Sequence, residues 1–149
     1  MRVVLQRVSR ASVRVDGNTV GAIGRGLLVL VGVESGDGPS DITFIANKIR
    51  DVRIFPDADG KMNLSVQDAN GAVLVVSQFT LMGDVRKGRR PAFDAAEAPA
   101  TARATYEFLL NELRQSGLRI EAGVFQAHMD VELVNDGPVT ILLDSRKRF

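Results

Sequence analysis

Ala72-Val73-Leu74-Val75-Val76 is apolar without a break, and so is the stretch from Leu27 to Val31. A strand with one face in water alternates apolar and polar side chains. An uninterrupted run belongs to a strand covered on both faces. Any fold for this chain must therefore hold two central strands between layers. The second run changes character at its end, where Ser77, Gln78 and Thr80 crowd around Phe79. Buried polar side chains cost free energy unless each finds a partner. A strand ending in three of them either delivers hydrogen-bonding groups to a pocket or simply emerges from the core.

The length of 149 residues predicts one domain, residues 1–149, with room for a proper core. With 45% hydrophobic and 25% charged residues the composition is that of an ordinary globular protein. Net charge is only +1, so affinity for nucleic acid would have to come from local clusters. There is no cysteine, which excludes disulfides, thiol catalysis and thiolate metal sites. A single histidine leaves no zinc site of the usual nitrogen and sulfur ligands. Neither a metal nor another cofactor is expected. No apolar run reaches transmembrane length and no signal-peptide core is visible, so the expectation is a soluble cytoplasmic protein with no membrane partner.

Taken in order, Val3 to Val15 reads as a strand with Val3, Leu5, Ala11, Val13 and Val15 on one face. Arg7 joins them if no bulge intervenes. On an apolar face its guanidinium needs a carboxylate or carbonyls. Asp16-Gly17 signals a hairpin into a strand at Thr19 to Ile23. Gly21, Gly24 and Gly26 do not match the spacing of a dinucleotide or phosphate loop and read as turn glycines. Ser40 is the expected N-cap of a helix with Ile42, Ile45, Ala46 and Ile49 on its buried stripe. Val52 to Phe55 reads as a short strand. Pro56 to Gly60 is a turn, because the acidic spacing of a calcium loop is not completed.

Farther along, Arg86-Lys87-Gly88-Arg89-Arg90-Pro91 is a basic loop, and Pro99 opens a helix that runs to about Ser116. Val124 to Val134 alternates, with Phe125, Ala127, Met129, Val131 and Leu133 on the inner side and His128 on the outer. Asn135-Asp136-Gly137-Pro138 is a dense turn signal before a last strand, Val139 to Leu143. Strands outnumber helices and hairpins join several of them. The fold class is α+β, a mainly antiparallel sheet with two packed helices.

For chemistry, a serine or threonine hydroxyl needs a base to accept its proton, and His128 is the only histidine. Strand parity puts it on the outer face. Ser77 does not sit in a Gly-x-Ser-x-Gly elbow. Carboxylate-pair catalysis has no visible candidates. The basic loop and the Arg146-Lys147-Arg148 tail could neutralise phosphates, or could be solvated charge. A non-catalytic RNA-binding protein and a small-molecule serine esterase using Ser77 and His128 both remain open on these residues.

Several segments together match a known family. They are Val4-Leu5-Gln6-Arg7-Val8, Gly26 to Gly32, Arg53-Ile54-Phe55 and Gly60-Lys61-Met62-Asn63-Leu64-Ser65. With them come Ser77-Gln78-Phe79-Thr80-Leu81 and Asn135-Asp136-Gly137-Pro138-Val139-Thr140. In this order and spacing the chain resembles the bacterial D-aminoacyl-tRNA deacylases over essentially its full length. The resemblance implies a homodimer with a rolled, barrel-like sheet. It implies an esterase that frees tRNA from D-amino acids and from mischarged glycine. Ser77, Gln78, Phe79 and Thr80 would receive the aminoacyl-adenosine end. Gly137 and Pro138, joined by a cis peptide and held by Arg7, would enter the partner's pocket and exclude an L side chain. Phe125 and Met129 would complete the wall, and Arg86, Lys87, Arg89 and Arg90 are the candidate tRNA contacts. The missing base would be supplied by the RNA, through the 2′-hydroxyl of its terminal ribose.

Overall fold

The structure is a computed structural model that describes residues 1–149. Eight strands and two helices follow one another: β1 (Arg2–Val15), β2 (Asn18–Ile23), β3 (Gly26–Gly32), α1 (Pro39–Asp51), β4 (Phe55–Pro56) and β5 (Met62–Leu64). Then come β6 (Ala72–Ser77), a 3-10 turn (Phe79–Met82), α2 (Pro99–Gln115), β7 (Arg119–Ala122) and β8 (Asp130–Asp144). The main sheet has the order β2-β1-β3-β6-β7, with β8 also paired to β1. Pairs β1–β2, β1–β3 and β1–β8 are antiparallel, whereas β3–β6 and β6–β7 are parallel. The parallel pairs exist because α1 and α2 lie in the connections, and a parallel neighbour requires a long crossover.

β2 and β3 succeed one another along one edge of β1, while β8 follows the other edge. The sheet rolls until β2 packs against β6 and β7, giving a nearly closed barrel. Gly21 permits that closure. A Cβ there would stand 2.9 Å from the Ala122 carbonyl oxygen.

Rolling divides the apolar interior in two. Leu28, Ala72, Leu74 and Val76 point into the barrel with Val8, Ala11, Val13 and Ile23. Leu27, Val29, Val31, Val73 and Val75 point outward, beneath Ile45 and Ile49 of α1 and Tyr106, Leu109 and Leu113 of α2. Both faces of β3 and β6 are covered, which is why these strands do not alternate. Emptying such a site by Leu74→Ala costs about 3 kcal/mol, since the walls relax only partly around the void.

Three local expectations are corrected. The register of β1 against β8 shifts between Val8 and Arg10, where Ser9 is the extra residue of a bulge. The bulge reverses parity, so Val3 and Leu5 face the helices while Ala11 and Val13 face the barrel. The N-cap of α1 is Gly38, not Ser40, and the Asp41 carboxylate accepts the Gly38 N–H at 2.9 Å. Residues 52–54 are irregular, and the short strand begins only at Phe55.

The largest correction concerns the end of the chain. Residues 124–129 are not strand, and the dense turn signal at Asn135 to Pro138 does not reverse the chain. β8 continues through it. Gln6 to Val8 of β1 stand opposite Thr140 to Asn135 of β8, so the extra β8 residues are pushed out as a loop in an otherwise continuous strand.

Candidate functional site

Where β6 leaves the sheet the chain tightens into the 3-10 turn. Gly32 at the end of neighbouring β3 makes room for it, since a Cβ there would stand 3.0 Å from Leu81 Cβ and 3.1 Å from the Gln78 carbonyl oxygen. The Gln78 N–H donates to Val31 at 2.7 Å and keeps the segment against β3. The N–H groups of Phe79 and Thr80 begin the turn and donate to no other group of the protein. Gln78 Nε2 donates to the Thr80 hydroxyl in a short contact.

Ser77, Gln78 and Phe79 open onto a cleft of about 660 Å³. Val31, Val33 and Val76 lie at its base. Pro99, Ala102 and Tyr106 of α2 form one wall, and Phe125, Gln126, His128 and Met129 form another. Phe93 closes the rim and packs edge-on against Phe79, with ring centroids 5.2 Å apart. The Tyr106 hydroxyl donates to the Val75 carbonyl at 3.0 Å, and burial pushes its ionisation well above the ordinary phenol value. Tyr106 is therefore a neutral donor inside the wall. Thr80 is exposed and lies outside the lining residues, as do Arg7, Gly137 and Pro138.

His128 corrects the parity argument. Because residues 124–129 are irregular and Gln126 takes a positive φ of 65°, His128 reaches the cleft rather than the outer surface of a strand. It remains exposed, and no hydrogen bond joins it to Ser77 or to a carboxylate. Phe93 and Glu97 also line the cleft without having been singled out in the sequence. No motif marks them, because their position depends on how the basic loop returns to the sheet.

That loop is closed at its base by two backbone hydrogen bonds between Asp84 and Ala92, at 2.8 and 2.9 Å. Arg86, though exposed, is paired with Asp84, Nη2 to Oδ2 at 2.6 Å, and this contact holds the Asp84 carboxyl down at about 2. Lys87, Arg89 and Arg90 are exposed and meet no carboxylate. The C-terminal tail differs from its sequence reading. Arg148 is paired with Glu34 and Asp144, and Arg146 with Glu34 and Asp37. Their charge is spent within the protein.

The loop carrying Gly137 and Pro138 stands exposed, and the peptide between them is cis. Asn135 staples its base: its side-chain oxygen accepts the Val139 N–H at 3.1 Å and its amide reaches Thr140 at 3.3 Å. Arg7, buried on β1, supports the loop from below. Its Nε donates to the Asp136 carbonyl at 3.2 Å and lies 3.1 Å from the Asp136 carboxylate, while Nη1 donates to Ile54 at 2.6 Å. Gly137 has φ +126°, and a Cβ there would lie 2.8 Å from Val139 Cγ2 and 3.0 Å from Arg7 Nη2.

The family model described as D-Tyr-tRNA(Tyr) deacylase matches residues 4–144. The chain is 63% identical over 149 residues, all of both chains, to the D-aminoacyl-tRNA deacylase of Anaeromyxobacter dehalogenans (strain 2CP-C). It is equally identical over the same length to the D-aminoacyl-tRNA deacylase of Koribacter versatilis (strain Ellin345). A solved structure described as c-Myc DNA Unwinding Element Binding Protein superposes with a TM-score of 0.91 at 42% identity, covering 97% of this chain and 98% of that one. The chain belongs to the D-aminoacyl-tRNA deacylase family. It is a hydrolase of ester bonds.

Proposed function

We propose that residues 1–149 form one cytoplasmic D-aminoacyl-tRNA deacylase domain that works as a homodimer and removes D-amino acids from tRNA. The observation that carries this reading is the end of β6: two N–H groups without acceptors, at Phe79 and Thr80, beside a cleft whose hydroxyls have no bonded base. Such donors suit the oxyanion that forms when water attacks the ester carbonyl. The C–O bond to the ribose then breaks, and free amino acid and tRNA leave. Water is activated with the help of the 2′-hydroxyl of the terminal ribose, while Ser77, Gln78 and Thr80 orient the ester.

Selection is by exclusion. The loop at Gly137 and Pro138 is exposed, stapled at its base and supported by Arg7, so it can hold its shape inside another subunit's cleft. There it collides with an L side chain and tolerates a D one. Glycine offers nothing to reject, so glycyl-tRNA, including tRNA-Ala mischarged with glycine, is a second substrate. Phe125 and Met129 line the pocket wall, and Lys87, Arg89 and Arg90 face the acceptor stem.

The test is hydrolysis of D-, L- and glycyl-tRNA, alongside a D-aminoacyl-tRNA ending in 2′-deoxyadenosine. The D and glycyl esters are cleaved, the L ester is spared, and the deoxy ester reacts slowly. Normal turnover of the deoxy substrate sinks the RNA-assisted mechanism. The position of His128 on the cleft favours one other reading, a serine esterase using Ser77. In that case His128→Ala abolishes activity and simple esters are cleaved without RNA.

A further inference from the structure

Half of the exposed arginines are bound to carboxylates, among them Arg10 and Arg14 to Glu132, Arg86 to Asp84 and Arg119 to Glu121, whereas Arg25, Arg53, Arg89, Arg90, Arg103 and Arg114 are not. Of these six, Arg103 is the one held against residues that line the cleft. It lies one turn into α2, next to Ala102 on the cleft wall, and no carboxylate is within ion-pair distance of it. Its guanidinium is nevertheless held. The carbon of the fork sits 4.8 Å from the centroid of the Phe125 ring, and Nη2 donates to Gln126 Oε1 at 3.3 Å. Phe125 and Gln126 both line the cleft, so the cation is fastened to its lip.

One of the five N–H donors of the fork is occupied, by an amide oxygen. A guanidinium oriented by an aromatic face and an amide, with the remaining donors free, matches the two oxygens of a phosphate. The substrate chemistry places one nearby. An ester on the terminal ribose and the phosphodiester on the 5′ side of that ribose belong to one nucleoside. An ester carbon held at Phe79 and Thr80 therefore brings that phosphate within one nucleoside's length of the site.

We propose that Arg103 is a substrate-binding residue, gripping the phosphate that joins the terminal nucleoside to the rest of the tRNA. This rests on the reading of the cleft as an aminoacyl-tRNA site. It adds a cation on the α2 lip, separate from the basic loop behind Phe93. The contribution is made in ground and transition states alike, so it belongs in KM and not in kcat.

The experiment compares wild type, Arg103→Ala, Arg103→Met and Arg103→Lys on D-aminoacyl-tRNA and on D-aminoacyl-adenosine, which carries no phosphate. Arg103→Met keeps an apolar stem over Phe125 and separates packing from charge. The expected result is a rise of about tenfold in KM for tRNA with Ala and Met, a smaller rise with Lys, and a correspondingly lower preference for tRNA over aminoacyl-adenosine. The salt dependence of kcat/KM on tRNA becomes shallower by about 0.7, one single-strand phosphate contact. Equal losses on both substrates, or a loss with Ala that Met restores, overturn the proposal, because Arg103 would then act through the shape of the wall. An unchanged KM and salt slope overturn it as well. If wild type cleaves neither substrate, the deacylase reading itself fails, and that outcome is read before any variant is compared.

Discussion

The two polar segments that interrupt the strands of this protein behave in opposite ways. At the end of β6, Ser77 to Thr80 turns beside a concavity, with two N–H groups left without acceptors. In the middle of β8, Asn135 to Pro138 is pushed outward, with the Asp136 carbonyl and the Asn135 side chain tied back to β1 and β8. One segment is unfinished and concave. The other is braced at its base and exposed. A concave surface that presents unpaired donors is suited to receive a ligand, whereas an exposed loop braced from below is suited to act by shape. In the proposed function these are the receiving and rejecting halves of one site.

The comparison breaks first at Gly137. Alanine there faces a positive φ and contacts of 2.8 and 3.0 Å, so the loop must move. The ratio of D to L hydrolysis is expected to fall at least about a hundredfold, a loss typical of a misplacement near 1 Å. Ratios of kcat/KM for the two isomers measure it. Next comes Arg7→Ala, which leaves the carbonyls of Asp136 and Ile54 without their donor. The cost is about 2 kcal/mol of stability, seen as a lower urea midpoint, together with weaker D/L discrimination. The smallest effect is expected on the concave side. Thr80→Ala removes a hydroxyl but keeps the backbone N–H, so kcat is expected to change less than about threefold. A thousandfold loss would make Thr80 a nucleophile and the cleft self-sufficient.

The difference between these segments was only partly legible in the sequence. Helix stripes survive any context, because a 3.6-residue period of isoleucines must face a core, and Ile42, Ile45, Ala46 and Ile49 do. The unbroken runs of β3 and β6 identified the central strands for the same reason. Bulges are a different matter. Whether Ser9 is accommodated, or Asn135 to Pro138 reverses the chain, is decided by pairing with a distant strand, and local residue preferences cannot see that partner. The same blindness misplaced His128, whose parity failed once residues 124–129 left the strand. The basic tail was misjudged because Glu34, Asp37 and Asp144 are remote from it in sequence or carry no mark of being its partners. Motifs named the candidate site, and tertiary pairing gave it a shape.

Subunit complementation asks whether the loop of one chain completes the cleft of another. Ala127→Trp fills the cleft of a chain whose loop is intact. Gly137→Ala distorts the loop of a chain whose cleft is intact. Each alone is expected to lack D-selective deacylation. Co-refolded together, a mixed dimer contains one cleft with the side chains of wild type facing one undistorted loop, so the account predicts that D-selective hydrolysis of aminoacyl-tRNA returns, at up to about half the activity per mixed dimer. A mixture no better than the sum of its parts would contradict the account, because each chain would then complete its own site.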